Sequence, residues 1–316
     1  MTSTGRSKRD AAKKAAAKKT PAARSDAAKK AAVTKKAAAT RAPSVFVIGA
    51  GKVGSNLARA LGSAGCSVTL RAARDGLPTE RIDADVIIVA VRDGDVPKIA
   101  AALAERALVG HRKAAIVHCA GALGPDALAA ARVGLASVAQ MHPMISFASP
   151  ESLPDLARGQ LHVDGDPSAA EAANALGRLL GMTPRTIPNL DRIAYHAAAG
   201  LVANGAAALA AGGVDLLERA GIDRVTAAKM LGPLLRSVAD NVERMGLPGA
   251  LTGPVRRGDA GAVERHLATI RRLAPHLVPF YAAAGTAQLP LARALDEGPA
   301  GSFDAIERVL AESTRA

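Results

Sequence analysis

The sequence predicts an α/β protein. A doubly wound sheet over residues 43–188 is followed by an all-helical second domain over 189–316 and preceded by a disordered basic tail over 1–42. Three observations predict this. A short apolar run leads into a glycine-rich turn and an amphipathic helix. Strand and helix patterns then alternate as far as Ile187. From Asn189 onward the strand patterns stop and helical periodicity takes over.

The tail carries most of the charge. The 316 residues have a formal net charge of +13, yet residues 1–42 hold 13 Lys and Arg against only Asp10 and Asp26, a net of +11. Its runs AAKKAAAKK, AAKK and VTKKAAAT favour helix through alanine, but the clustered lysines repel one another and no apolar face is present to dock. Without burial to offset chain entropy, disorder is expected. The segment has neither the apolar stretch of a signal peptide nor the arginine-rich amphipathic face of a transit peptide, so a cytoplasmic protein is expected. The tail resembles the Lys/Ala-rich tails of linker histones and nucleoid proteins, which implies nonspecific attraction to nucleic-acid phosphates. The alternative is a solvated extension with no specific partner.

The remaining residues are nearly neutral, at +2, and their composition excludes several functions. Only six aromatics occur and Trp is absent, so a sheet that stacks single-stranded bases is not expected. Cys66 and Cys119 are too few for a disulfide framework and suit a reducing compartment. No CxxC, HExxH or EF-hand spacing supports a metal site.

Ser44–Ile48 is apolar enough for a parallel strand buried on both faces. Gly49-x-Gly51-x-x-Gly54 follows, with Lys52 and Val53 inside the turn, and Leu57, Ala58 and Leu61 then recur at helical spacing. In the dinucleotide-binding turn of Rossmann sheets, the first glycine permits the tight turn. The second lets a pyrophosphate approach the backbone, and the third lets helix pack on strand. The helix N-terminus then offers unpaired N–H groups to phosphate. The second strand, Ser67–Leu70, ends about 20 residues after the first glycine, where an NAD enzyme offers Asp or Glu to the ribose. This chain offers Arg71 and Arg74, whose guanidinium groups suit a 2′-phosphate, so NADP (as NADPH) is favoured over NAD. Two surface arginines are the alternative.

Further strands are expected at Asp85–Val91, Ala114–His118, Ala136–Met141, Leu161–Val163 and Pro184–Ile187, with a helix at Ser168–Leu180. Ligands of such sheets lie at the carboxyl ends of strands. Val91, Arg92 and Asp93, the segment His118–Gly121, and His142-Pro143 are therefore site candidates by position.

In the second half, Ile193–Val214 is free of formal charge, which invites a transmembrane reading. His196, Asn204 and four glycines, with few large aliphatics, favour instead a central helix buried against small-residue partners, with no membrane. Periodic stretches at Val225–Val242, Ala262–Leu273, Leu277–Leu295 and Phe303–Leu310 complete the helical domain, with an irregular loop at Leu251–Asp259.

Six segments occur here in the order IGAGKVGSNLARAL, HCAGALG, MHPMISF, YHAAAGLVAN, ALTGPVRRGD and ERHL. With them the chain, over about residues 43–315, resembles the Rossmann-like oxidoreductases whose C-terminal half is the domain of unknown function 2520. That group is similar to pyrroline-5-carboxylate reductases and β-hydroxyacid dehydrogenases of the 6-phosphogluconate dehydrogenase-like superfamily. The resemblance implies NADP(H) in a cleft between the domains and a homodimer formed through the helical one. It places Tyr195, His196 and Asn204 on the first helix of the second domain, and Thr252, Gly253, Pro254, Arg257, Gly258 and Asp259 on its interhelical loop. A similar loop borders the substrate site of the pyrroline-5-carboxylate reductases. Two departures stand out. Ala120 stands where the group usually has Ser. Gly200, four residues before Asn204, stands where β-hydroxyacid dehydrogenases carry a catalytic Lys.

His196, Gly200 and Asn204 share one helix face, with the outer two about 12 Å apart. The chemistry this suggests is hydride transfer between NADPH and a small carboxylated carbonyl or imine. His196 would be proton donor, Asn204 would orient substrate or nicotinamide, and Arg256 or Arg257 would hold the carboxylate, with Thr252 and Gly253 beside it. His142 is the rival acid, and either histidine has a purely structural alternative. Two other readings stand beside this one. The missing lysine and Ala120 suit a non-catalytic dinucleotide sensor. MHPM is similar to the His-Pro-Met segment of prephenate dehydrogenases.

Overall fold

The computed structural model describes residues 42–111 and 113–315. The expected disorder of the tail falls outside the described residues, apart from Ala42. Contacts cluster into two compact units that divide between Ile187 and Pro188.

The first unit is built on seven strands: β1 (Ser44–Ile48), β2 (Ser67–Arg71), β3 (Val86–Val89), β4 (Ala115–His118), β5 (Ser137–Met144), β6 (Gln160–Gly165) and β7 (Thr183–Arg185). Their spatial order is β2-β1-β3-β4-β5-β6-β7. All pairings are parallel except β5 with β6. Every residue of β3 and β4 is buried, as the continuous apolar runs VIIV and AIVH require of strands covered on both faces. On one face Val45, Val47, Val86, Ile88, Val117 and Met141 meet Leu57 and Leu61 of α1 (Lys52–Ser63) and Ala173 and Leu176 of α3 (Pro167–Leu179). On the other, Ile48, Ile87, Val89, Ile116 and Val138 meet Val96, Ala100 and Leu103 of α2 (Val96–Glu105) and Leu128 of a 3-10 segment, Pro125–Ala131. The doubly wound sheet is therefore as expected, although the sequence reading assigned neither α2 nor the 3-10 segment.

Two differences bear on the site. The antiparallel β5–β6 pair was not expected. The strand β5 also continues to Met144, so His142 and Pro143 lie within it rather than after it. Proline is tolerated because β4 pairs only with Ser137–Gln140; beyond that, β5 is an edge on the β4 side and loses no ladder bond by lacking an N–H.

The second unit consists of α4 (Arg192–Arg219), α5 (Arg224–Met245), α6 (Gly253–Arg256), α7 (Ala260–Leu273), α8 (Val278–Leu295) and α9 (Ser302–Ser313). Asp191, Asp223 and Asp259 cap α4, α5 and α7 through backbone N–H groups. The core of this unit comes from α6 to α9: Val255, Val263, Leu267, Ile270, Leu289, Phe303, Ile306 and Leu310.

The long helix α4 corrects an expectation. It is not a buried central helix: Val214 is its only buried residue, and Ile193, Leu201 and Val202 are 68%, 77% and 72% exposed. Its main partner among the described helices is α5, and Gly213 leaves room there for Leu231, whose Cδ1 would lie 2.9 Å from a Cβ at that position. The C-terminal end is pinned by Asp215 to His276 at 2.8 Å and by Arg219 Nη1 donating to the Leu273 carbonyl at 3.2 Å. Length and composition alone would let α4 cross a membrane, at mean hydropathy 1.5 over its most apolar stretch.

Candidate functional site

The chain switches direction across the sheet between β1 and β3, since β2 lies on one side of β1 and β3 on the other. A crevice opens at the carboxyl ends of strands flanking such a switch. The residues from Gly49 to Gly54 fill that position. Gly49 has φ +115°, a conformation that L side chains rarely adopt, and a Cβ there would run into the Ala90 carbonyl that follows β3. A Cβ on Gly54 would collide with the Gly49 carbonyl, so the third glycine sets how closely α1 lies on its strand. Gly51 has open space around it. The turn is held by Gly49 N–H donating to the Arg71 carbonyl and Ala90 N–H donating to the Ile48 carbonyl, both 2.8 Å.

The helix α1 begins after Gly51 with no side-chain cap and no acidic residue in its first turn. Its leading N–H groups are thus left for an external acceptor, and Lys52 beside them is exposed while Val53 is half-buried. Val91 closes over Gly49, its Cγ1 3.3 Å from where a Cβ would be, and Arg92 beyond it is exposed.

Arg71, which ends β2, and Arg74, three residues beyond it, differ. The Arg71 guanidinium is turned onto its own loop, with Nε donating to the Gly76 carbonyl at 2.5 Å and Nη2 to the Asp75 carbonyl at 2.8 Å. The Arg74 side chain is 90% exposed, with Asp75 Oδ1 3.9 Å from its Nε. Arg71 therefore shapes the loop, and Arg74 is the cation that faces solvent.

In register, Ile48, Val89, His118 and Gln140 form a row across the carboxyl ends of β1, β3, β4 and β5. His118 is buried, and its ring accepts from Ala120 N–H on Nδ1 at 3.2 Å and lies 2.9 Å from the Gly124 carbonyl through Nε2, an arrangement that suits the neutral Nε2–H tautomer. Gln140 Nε2 donates to the carbonyls of Ala120 at 2.8 Å and Gly121 at 3.3 Å. His118 and Gln140 together fix the segment after β4. Burial pushes the Cys119 thiol up to about 12, so it stays protonated and is no thiolate nucleophile. Two residues past the row, half-buried His142 stands opposite His162 of β6.

In the second unit, His196 and Asn204 are both exposed on α4. Asn204 Nδ2 lies 3.8 Å from where a Cβ on Gly200 would be, which places those two positions on one face as their spacing predicts. Tyr195 is half-buried, and burial raises its phenol above the ordinary value. Thr252 is exposed and Gly253 takes φ +90°.

Arg256 departs from its expected role as a carboxylate clamp. Its Nε and Nη2 each lie 2.7 Å from a Glu297 carboxylate oxygen, and Nη1 donates to the carbonyls of Leu251 at 2.7 Å and Gly249 at 3.1 Å. That fork is spent on tying the loop to the C-terminal end of α8. Arg257 next to it is exposed and makes no hydrogen bond or ion pair among the described residues, so it is the arginine of this loop open to a ligand.

The sequence reading missed Asn56 and Arg59 of α1. Asn56 is fully buried, with Nδ2 donating to the carbonyls of Lys52 at 2.8 Å and Ser149 at 2.7 Å. Its signal was available: a polar residue in the apolar face marked by Leu57, Ala60 and Leu61. Among the described residues, no group of three or more His, Cys, Asp or Glu is placed to hold a metal ion.

Residues 160–288 match the family model described as Domain of unknown function (DUF2520), which bears out the resemblance over the segment that holds YHAAAGLVAN, ALTGPVRRGD and ERHL. No curated protein matches the chain. Among solved structures, a protein of Thermotoga maritima is 22% identical with a TM-score of 0.57, covering 79% of this chain and 98% of its own. A pyrroline-5-carboxylate reductase of Coxiella burnetii is 14% identical at 0.52, covering 80% and 98%. The Plasmodium falciparum pyrroline carboxylate reductase, solved with NADP bound, is 11% identical at 0.52, covering 87% and 98%. Identities this low establish a shared fold.

Proposed function

We propose that this protein is a dinucleotide-dependent oxidoreductase that moves hydride between NADPH and a small carboxylated carbonyl or imine. The observation that carries the reading is the glycine turn at the switch point. Side chains are excluded at Gly49 and Gly54, space is open at Gly51, and α1 presents an uncapped, acid-free N-terminus. Such a turn suits a pyrophosphate, and Val91 and Arg92 flank it as cofactor-contacting residues. Similarity to reductases named for pyrroline-5-carboxylate, one of them with NADP bound, supports the reaction class.

Preference for NADPH rests on Arg74, with Arg71 bracing the loop that presents it. His196 is proposed as proton donor and Asn204 as the amide that orients substrate or nicotinamide, with His142 as the rival acid. Arg257 takes the carboxylate role that Arg256 cannot fill while bound to Glu297. The exposed apolar residues of α4 and α5 are proposed to be covered by a second copy of the chain, giving a homodimer that works in an aqueous compartment rather than in a membrane.

The test is a fluorescence titration of the full chain with NADPH and NADH, followed by turnover on a panel of keto and imino acids. NADPH binding tighter than NADH, with oxidation of NADPH by one panel member, is the expected result. Binding without turnover on any member would favour a dinucleotide sensor, a reading motivated by Gly200 and Ala120.

A further inference from the structure

The segment between β5 and β6 crosses from one strand to the next with only a short 3-10 turn, Leu156–Arg158, of its own. Its apolar side chains Ile145 and Phe147 pack on the sheet face that α1 covers. Its backbone is gripped by two side chains of α1. Asn56 Nδ2 spans from the Lys52 carbonyl, in the first turn of α1, to the Ser149 carbonyl. Arg59 places Nη1 2.9 Å from the Glu151 carbonyl and Nη2 2.8 Å from the Pro150 carbonyl, and Nη1 also lies 3.5 Å from Asn56 Oδ1. Three consecutive carbonyls of the segment are thus held by one buried amide and one guanidinium fork. The amide spends both of its N–H groups, one on each body it joins.

We propose that Asn56 and Arg59 are positioning residues that lock the segment after β5 to the glycine turn, so that dinucleotide binding and the placement of His142 are coupled. The inference rests on the cofactor reading above. The first turn of α1 is where the pyrophosphate docks, and the segment that Asn56 ties to it begins three residues after His142. Phosphate binding that orders the first turn acts through Lys52, Asn56 and Ser149 on the strand end that carries the histidine. In the other direction, a released segment leaves one buried Asn56 N–H without its Ser149 acceptor, which frees the amide to leave the Lys52 carbonyl and loosens the turn that faces the phosphates.

Two variants of the full chain test this without adding charge to the site. Asn56→Leu keeps the volume and removes both donors. Arg59→Lys keeps the charge but replaces the fork with one compact ammonium. Limited proteolysis reads the segment, and NADPH titration reads the coupling. In the wild type, NADPH is expected to slow cleavage within 146–154. Asn56→Leu is expected to cleave faster and bind NADPH about tenfold more weakly, the scale of one lost buried hydrogen bond. Arg59→Lys, which leaves the buried amide intact, is expected to follow in the same direction by about threefold, and it serves if the buried variant does not fold. A merely structural asparagine would lower the melting temperature and leave the NADPH affinity of the folded protein unchanged, and that result overturns the coupling. Wild-type protein that binds neither dinucleotide overturns the cofactor reading itself, and the coupling with it.

Discussion

At the scale of single residues, the glycine turn makes the sharpest demand. A Cβ at position 54 meets the Gly49 carbonyl oxygen, which is backbone and cannot swing aside. Gly54→Val is therefore expected to cost about 1–3 kcal/mol of stability by overpacking and to abolish dinucleotide binding, both readable by melting and titration on one sample. Arg74→Ser should weaken NADPH about tenfold and leave NADH within a factor of two, because it removes a charge-assisted bond that only the 2′-phosphate makes. Equal losses for both cofactors would remove Arg74 from the specificity role. Once a substrate is found, His196→Gln should lower kcat by about two orders of magnitude if the histidine is the proton donor, and unchanged turnover would pass that role to His142.

At the scale of elements, the join between β5 and the start of α3 carries a pH signature. Asp166 accepts both the Arg132 fork, at 3.1 and 3.2 Å, and the Val138 N–H at 2.8 Å. The Arg132 guanidinium holds the Asp166 carboxyl below its ordinary value, with the Val138 N–H adding to the effect. A lowered folded-state value makes the contribution to stability complete above the unfolded value of about 3.9 and lost as pH falls through the folded one. Asp166→Asn should therefore melt below wild type at pH 7, with the gap closing under about pH 4. The helices α4 and α5 make a different prediction. Met230, Leu234, Val238 and Val242 recur every four residues on α5, and all are exposed in one chain, as is Leu201 on α4. The wild type is expected to sediment as a dimer, and replacing Leu201 and Leu234 together with Glu should yield a monomer. A wild-type chain that sediments as a monomer would leave that apolar face without its proposed partner.

At the scale of the whole molecule, charge is divided unevenly along the chain. Net charge of +11 sits in residues 1–42, and the nearly neutral remainder carries the glycine turn. We propose that the tail attracts nucleic acid and that the rest binds the dinucleotide. A chain trimmed to 43–316 should bind NADPH like the full one, and only the full chain should hold duplex DNA, with affinity falling steeply as salt rises. Equal DNA binding by both would sink the role of the tail.

Much of this was legible in the sequence because the information is local. A buried parallel strand needs an unbroken apolar run. A tight turn with a carbonyl behind it needs glycine. Ser44–Ile48, Gly49 and Gly54 state those needs within a few residues of themselves. What the tertiary structure decided depends on partners far along the chain. Arg256 reads as a ligand-binding cation until Glu297, 41 residues on, takes its fork. Arg71 and Arg74 read alike until one of them folds back on its own loop. Asn56 gains its role from a carbonyl 93 residues away, and α4 reads as a core helix until the helices that would bury it prove to pack on one another instead. Backbone conformation is chosen by neighbours in sequence, whereas the use of a polar or apolar side chain is set by whichever group the fold brings beside it.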